Sequence, residues 1–372
     1  ESVMREFVIS EEIVITLNDG VFGLWNLNTG EQYEILEKTY LDRIFELTEY
    51  SHLPYQAQPE DELLIEAGIL LLADQALDYK KLAAERGKWG WDLISKIFHY
   101  GSKHNFPSEI SKLEDTESGY IDFCQSIEDT MPDLETEREG KIITLPDYNG
   151  APIQNMNLQG ALWERRTSRN FRFDAVPVSI VADILYSTFG AIHGDSHKEE
   201  MEKRGVRTVG YRRSSPSAGC LQATEAYLIA LNVDGLSRGI YHYRSHQHVL
   251  TEIDLVIDPS LEKILCYQSF AIEASFLIVL TTRFDKLWWK YPHSRAYRSG
   301  LLDVGHLSQT FNLVTTAYSL NTWVTGYFID NLLNDLIKVD GFKEQSIFVM
   351  AGGPGYSDPL SPGVLQLLNS NP

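Results

Sequence analysis

The chain carries a nearly unbroken apolar run, Ala226-Tyr227-Leu228-Ile229-Ala230-Leu231-Asn232-Val233. Such a run predicts a strand that is buried on both faces. It turns at Asp234-Gly235 into Gly239-Ile240-Tyr241-His242-Tyr243, and the apolar runs Phe276–Thr281 and Ser346–Met350 predict two more strands. Helices of varied length are expected between these strands, which indicates an α+β or α/β fold.

Two amphipathic helices are predicted around these strands. One covers Val178–Tyr186, and Pro177 precedes it at the position where a helix favours proline. The other covers Leu301–Leu320 and has apolar residues along one side: Leu301, Val304, Leu307, Phe311, Val314 and Tyr318. Strands and helices together predict a domain at residues 155–372.

Residues 1–75 show a different pattern. Residues 8–26 predict a β-hairpin that turns at Asn18-Asp19-Gly20. Apolar residues from Ile35 to Leu47 recur at helical spacing, and Glu60–Leu70 predicts a second helix that glycine ends before a short strand. A hairpin with small helices and a terminal strand is typical of a winged-helix domain.

Residues 76–154 are expected to join the two domains. Residues 80–105 predict a helix, with Trp89, Trp91, Leu93 and Ile97 on its apolar side. The stretch Glu114–Gly140 is rich in acids and poor in periodic apolar residues. We therefore interpret it as a linker or as a segment that wraps around a domain.

Composition excludes several classes of protein. The net charge of -20 over 372 residues disfavours nucleic-acid binding, which normally requires a basic patch. Three widely spaced cysteines exclude a cysteine-based zinc site and a disulfide framework, and they indicate a cytoplasmic protein. We expect neither a membrane span nor a signal peptide. His242, His246 and His248 are interpreted as exposed hairpin histidines, so no metal site is expected.

The segment Trp288-Trp289-Lys290-Tyr291-Pro292 places two groups of normally high pKa side by side. Tryptophans precede the pair, and Arg295 and Arg298 follow it. Apolar walls and nearby cations both favour the neutral form of a lysine, which can take a proton from carbon. Taken alone, however, the segment is better explained as a surface turn with its tryptophans in the core.

Three further clusters have residues that suit a ligand. Arg165-Arg166-Thr167-Ser168-Arg169 offers guanidiniums and hydroxyls that match phosphate oxygens, although solvated charged turns are commoner. Ser214–Gly219, which follows Arg212-Arg213, lets backbone approach a flat ligand, and an ordinary loop explains it equally well. Gly352-Gly353-Pro354-Gly355 follows a strand but lacks the GxGxxG spacing, which excludes a Rossmann site.

Taken in order, these motifs resemble the azoline dehydrogenases of the SagB/ThcOx type, a family of nitroreductase-fold flavoproteins. The motifs that carry the resemblance are Arg165–Arg169, Arg213 with Pro216–Gly219 and Glu225, Gly239–Tyr243, Lys290-Tyr291 with Arg295–Arg298, and Asp303–His306. The resemblance covers residues 155–357. It implies an α+β, nitroreductase-like fold with a mostly antiparallel central sheet flanked by helices, a homodimer, and FMN at the dimer interface.

The resemblance also implies a role for each matching residue. FMN would be bound by Arg165, Arg166, Thr167, Arg169 and Arg213, by the loop of Pro216, Ser217, Ala218 and Gly219, and by Gly352 and Gly353. Lys290 and Tyr291 match the catalytic pair, and which of them is the base is left open. Pro292 departs from the family, because a glycine is common at that position.

The implied activity is FMN-dependent oxidation of thiazolines or oxazolines, in a ribosomally made precursor peptide, to thiazoles or oxazoles. Residues 1–75 resemble the winged-helix element that binds leader peptides by strand addition. A cyclodehydratase, which forms the rings, is a further partner that the resemblance allows. Two alternatives stay open: an NAD(P)H-dependent nitroreductase or quinone reductase, and a non-catalytic peptide-binding scaffold with a degenerate flavin site.

Overall fold

The computed structural model describes residues 7–11, 13–72, 74–86, 88–103 and 113–370. The chain divides into two compact units, and the division falls between residues 110 and 111. Of the helices within these ranges, none is long and apolar enough to cross a membrane.

The first unit contains a three-stranded sheet, a two-stranded sheet and short helices. Its strands are β1 (Phe7–Ile9), β2 (Ile13–Asn18), β3 (Val21–Asn26), β4 (Glu31–Ile35) and β5 (Leu70–Leu72). Its helices are α1 (Lys38–Glu49), α2 (Asp61–Glu66), α3 (Asp74–Arg86) and α4 (Leu93–Gly101). Strands β2, β3 and β4 form an antiparallel sheet with β4 on the outside, whereas β1 pairs with β5. Leu24, Ile44 and Leu64 are buried in its core.

The hairpin of β2 and β3 forms as predicted, because Asp19 and Gly20 both adopt the positive φ of a two-residue turn. Two expectations in this unit are wrong. Val8 and Ile9 lie outside the hairpin and pair with β5. The helix expected at 80–105 is two helices, because Asp92 caps a new start by accepting from the Ser95 N–H. Residues 104 and 105 of that expected helix lie outside the described residues.

The second unit contains the larger sheet. Its strands are β6 (Ile142–Thr144), β7 (Val176–Pro177), β8 (His193–Gly194), β9 (Tyr211–Arg212), β10 (Thr224–Ala230), β11 (Val233–Asp234), β12 (Gly239–Arg244), β13 (Val249–Asp254), β14 (Phe276–Arg283), β15 (Asn321–Thr325) and β16 (Glu344–Gly353). Its helices are α5 (Leu113–Ser126), α6 (Ala151–Asn155), α7 (Leu158–Glu164), α8 (Val178–Phe189), α9 (Lys198–Glu202), α10 (Leu261–Ile264), α11 (Phe284–Lys290), α12 (Ala296–Ala317), α13 (Asp330–Ile337) and α14 (Pro362–Asn369).

Seven strands form one sheet in the order β15-β16-β14-β10-β12-β13-β6, and every neighbouring pair is antiparallel. Side chains alternate across it. On β14, Ile278 and Leu280 pack under α8 and α12, whereas Leu277 and Val279 pack under α10 and α13. Burial on both faces explains the continuous apolar runs, and the α+β fold with a central antiparallel sheet is confirmed.

Three details differ from the sequence analysis. Strand β10 ends at Ala230, and Val233 instead pairs in parallel with Val176. Strand β6 pairs with β13, so the sheet takes in residues before the expected start at 155. The acid-rich stretch 114–140 lies within the second unit and begins with helix α5.

Candidate active site

Lys290 is the last residue of α11, which directly follows the central strand β14. It is 3% exposed, and its Nζ donates a hydrogen bond to the carbonyl oxygen of Gly219 across 3.2 Å. Burial lowers the pKa of Lys290, because the ammonium loses hydration that the neutral amine needs less. This environment favours the form of lysine that accepts a proton.

The carbonyl that Lys290 contacts belongs to the small-residue loop Pro216–Gly219. Asp303, on the buried side of α12, holds this loop by accepting hydrogen bonds from Ser217 Oγ at 2.9 Å and from the Ala218 N–H at 3.1 Å. Gly219 has a φ of +57°, and a Cβ there would collide with the hydroxyl of Tyr291. The close approach of the loop to the Lys-Tyr pair therefore requires glycine.

Two predicted clusters, Pro216–Gly219 and Lys290-Tyr291, thus lie together although they are 71 residues apart in the chain. Asp303, which connects them to α12, was not predicted as a site residue. A usable signal existed, because Asp303 lies one helical turn before Leu307 on the apolar side of α12. An acid at such a position is buried and needs partners.

Tyr291 lines a cavity of about 450 Å³ together with Phe284, Leu287, Trp288, Tyr297 and Phe342. The rings of Phe284 and Tyr297 stack with their centroids 4.5 Å apart. Burial raises the pKa of Tyr291, so its hydroxyl stays protonated and can donate a hydrogen bond. The cavity therefore offers aromatic walls and the hydroxyl donor of Tyr291, which suits a flat ring.

The acid-rich stretch lies against the catalytic candidates. The ring centroid of Tyr120, on α5, is 5.5 Å from Lys290 Nζ. Further along, the Ile127 carbonyl accepts a hydrogen bond from Trp289 Nε1 at 2.9 Å. Of the two interpretations offered for this stretch, the structure supports the wrapping segment. Its lack of apolar periodicity explains why no site residue was predicted there.

A buried polar cluster lies beneath α11. The carboxylate of Glu225 is 3.4 Å from Lys286 Nζ and 3.1 Å from His242 Nε2. Burial alone would raise the pKa of Glu225. The charge of Lys286 nevertheless holds this pKa below its ordinary value. His242 is fully buried, so its interpretation as an exposed hairpin histidine is wrong. Within the described part of the chain, no three His, Cys, Asp or Glu residues are arranged to hold a metal.

The arginine cluster lies at the other end of α12. Arg165 ends α7, Thr167 forms a β-bridge with Thr322, and the Ser168 N–H donates to the Thr322 carbonyl. Arg166 and Arg169 are exposed. No acceptor or carboxylate among the described residues contacts the guanidinium groups of Arg165, Arg166 or Arg169. These cations are therefore available to an anionic ligand.

Gly352 and Gly353 lie beside this cluster, because they pair with Thr322 and Asn321 of β15. A Cβ on Gly352 would collide with the ring of Phe276, so close packing within the sheet already requires glycine there. Arg213 is buried and donates to the carbonyls of Phe189 and Thr224 and to Ser245 Oγ. Pro216 is exposed. The predicted residues thus form two groups, one around Lys290 and one around Arg165–Arg169.

Comparison with known proteins agrees with this architecture. The model of the nitroreductase family matches residues 162–354, more than half of the chain. A solved structure from Anabaena variabilis, described as a nitroreductase, superposes with a TM-score of 0.50 at 18% identity, covering 72% of this chain and 49% of that one. This likeness concerns the fold.

Three relatives are similar in sequence. MJ1384 of Methanocaldococcus jannaschii, described as a nitroreductase, is 26% identical over 57% of this chain and 95% of its own length. The trifolitoxin-processing protein TfxB of Rhizobium leguminosarum is 24% identical over 37% of this chain and 38% of its own. The trifolitoxin operon protein TfxC of the same organism is 24% identical over 75% of this chain and 77% of its own.

Proposed function

Because the chain belongs to the nitroreductase family, we propose that it is an FMN-dependent oxidase of azoline rings in a ribosomally made peptide. Thiazolines or oxazolines would become thiazoles or oxazoles. The main support is the contact between the buried Lys290 and the Ser217–Gly219 loop, with Tyr291 beside both. A relative named as processing trifolitoxin supports a peptide substrate.

The residues present fit FMN. Arg165, Arg166 and Arg169 offer guanidiniums that are free to bind phosphate, and Thr167 lies among them. The Pro216–Gly219 loop presents small side chains, which allow backbone to approach a flat ring. We propose that FMN lies between two copies of the chain, held by the arginines, Gly352 and Gly353 of one copy and by the Pro216–Gly219 loop of the other. Arg213 would act by supporting the loop that follows it. FMN, when bound, supplies the two-electron oxidant and is restored by dioxygen.

The proposed reaction converts an azoline to an aromatic azole by loss of one proton and one hydride. Lys290 would take the proton from Cα, because burial favours its neutral form. The protonated hydroxyl of Tyr291 would orient the ring by donating a hydrogen bond. Aromatic walls of the neighbouring cavity would exclude water from the ring.

The first unit would bind the leader part of the same peptide. A groove of about 470 Å³ runs along its outer strand β4, and its apolar walls include Ile35, Ile44 and Leu63. The unpaired edge of β4 can accept an extended peptide as an added strand. A cyclodehydratase would have to form the azolines before this protein acts on them.

We also propose a homodimer. Helix α7 ends at Glu164, next to Arg165, and exposes three large apolar side chains, namely Leu158, Leu162 and Trp163, which are 69%, 50% and 76% exposed. A contiguous apolar face of this kind commonly marks an interface. A second copy on this face would cover the side chains next to the arginine cluster.

The test replaces Lys290 with alanine and uses a purified azoline peptide. The variant should stay yellow with bound FMN yet lose azole formation, measured by mass spectrometry as the loss of two hydrogens per ring. Lys263→Ala, at an exposed position, is the control and should keep full activity. Undiminished oxidation by Lys290→Ala would refute the assignment of the base.

A second candidate is an NAD(P)H-dependent nitroreductase or quinone reductase, which the resemblance to MJ1384 favours. Anaerobic addition of NADPH without peptide separates the two. Rapid bleaching of the bound flavin would favour the reductase, whereas bleaching only by the azoline peptide would favour the oxidase.

A further inference from the structure

Tyr120 lies between the proposed base and solvent. Its ring centroid is 5.5 Å from Lys290 Nζ. Tyr120 is 40% exposed, whereas Lys290 is only 3% exposed. The ring is therefore partly exposed to water and also lies over the buried amine.

Two cysteines, a backbone carbonyl and Tyr291 complete the surroundings of Lys290. Cys124 approaches from α5 and Cys220 from the loop after Gly219, and both are free thiols. The Gly219 carbonyl accepts the hydrogen bond, and Tyr291 adjoins in sequence. No carboxylate in the described ranges forms an ion pair with Lys290. Its basicity therefore depends mainly on how far water reaches it.

The helix that carries Tyr120 is fixed to the rest of the unit. Gln125 Nε2 donates to the Arg204 carbonyl at 2.7 Å, and Trp289 Nε1 donates to the Ile127 carbonyl at 2.9 Å. The chain after α5 is held as well, since Arg283 donates to Thr136 Oγ1 at 2.8 Å. These contacts fix the C-terminal end of α5 and the chain that follows it against the rest of the unit.

We propose that Tyr120 is a positioning residue that shields Lys290 from water and thereby sets its basicity. The inference rests on the proposed role of Lys290 as the base. The ring face also attracts an ammonium, which opposes the effect of shielding. Because burial is the main influence on the pKa of this lysine and lowers it, we expect shielding to dominate.

The test measures the titration of Lys290 directly in the FMN-loaded protein. Trace acetic anhydride labels neutral amines, and mass spectrometry of the Lys290 peptide over a pH series gives the midpoint. Tyr120→Phe keeps the ring and should leave the midpoint unchanged. Tyr120→Ala admits water and should raise it by about one pH unit. Tyr267→Ala, at a tyrosine that is 70% exposed, is the control and should leave it unchanged.

The acid limb of the pH profile for azoline oxidation should move with the labelling midpoint. If the midpoint moves but no form of the protein oxidises azolines, the proposed function fails, whereas the shielding of Lys290 by Tyr120 stands. An unchanged midpoint in Tyr120→Ala with FMN still bound would overturn the inference. Should that variant not fold, Tyr120→Val decides in its place, and an unchanged midpoint there overturns the inference equally.

Discussion

Lys290 Nζ donates a hydrogen bond across 3.2 Å to the carbonyl oxygen of Gly219, and this contact joins the end of α11 to a loop that Asp303 holds. Burial favours the neutral form of the donor, Lys290. The acceptor, Gly219, has a backbone with positive φ. The side chain of Lys290 is thereby held at one position beside the small-residue loop Pro216–Gly219. Such a fixed base is what proton abstraction from a bound ring requires.

Gly219→Ala should disrupt this contact. The substitution places a Cβ against the hydroxyl of Tyr291 and imposes left-handed backbone on alanine, at a cost of about 1 kcal/mol. We expect azole formation to fall by about tenfold or more, because small displacements of a catalytic group are costly. Gly363→Ala is the control, since a Cβ there meets nothing within 4 Å. Equal losses in both variants would contradict the account.

Much of the fold could be predicted from the sequence. The runs that form β10, β14 and β16 are apolar because the sheet is buried on both faces, and α12 shows its apolar side clearly. Short edge elements were missed. β6 and β15 lie at the two outer positions of the sheet, where fewer residues need to be apolar. Their place depends on pairing partners that are distant in sequence.

The candidate site was predictable only in part. Lys290, Tyr291 and Gly219 were singled out from their residue types and given roles by the resemblance, and the structure brings them together. Tyr120 could not be found in this way, because α5 lies in an acid-rich stretch without apolar periodicity. Tyr120 lies close to Lys290 only because the segment that carries it packs against α11. A contact between segments so distant in sequence leaves no local sequence pattern. The role of Arg165, Arg166 and Arg169 in binding phosphate remains a prediction, since only a bound ligand would show it.

Burial of Lys290 should reduce the stability of the protein in a pH-dependent way. Its folded-state pKa lies below the unfolded value, so the unfolded chain binds more protons and stability rises with pH between the two. The penalty is complete below the folded pKa and disappears above the unfolded one. Lys290→Met should therefore raise the urea midpoint at pH 7, by an amount equivalent to about 1 kcal/mol.

Urea unfolding followed by tryptophan fluorescence at several pH values measures this effect. The advantage of Lys290→Met over the parent protein should shrink as pH approaches the ordinary lysine pKa of about 10.4. Lys263→Met changes an exposed lysine and should show no such dependence. A gain that stays constant with pH would mean that packing, and not the buried charge, is responsible.

The arginine cluster should distinguish FMN from riboflavin, which lacks the phosphate. Arg166→Ala and Arg169→Ala each remove a guanidinium that no described carboxylate occupies. We expect each to weaken FMN binding by about tenfold or more, the equivalent of one charge-assisted hydrogen bond, and to leave riboflavin binding unchanged. Arg207→Ala, whose guanidinium pairs with Glu128 at 2.9 Å, is the control. Flavin fluorescence quenching measures both affinities, and equal losses for the two flavins would exclude phosphate contact.

The groove along β4 should prefer a peptide that carries positive charge. Three glutamates, Glu31, Glu34 and Glu66, lie among its apolar walls. Glu34→Lys reverses one of these charges and should weaken binding of a fluorescent precursor peptide with basic residues in its leader by about tenfold at low salt. The effect should diminish as salt is added, because exposed charges are screened.

Glu49→Lys provides a matched control for this prediction. Glu49 is the exposed last residue of α1 and does not line the groove, so the same change in net charge occurs outside it. If attraction by the groove is local, Glu49→Lys should retain nearly all of the affinity that Glu34→Lys loses. Equal losses in the two variants would show that the net charge of the protein attracts the peptide. The groove would then not be the binding site of the leader.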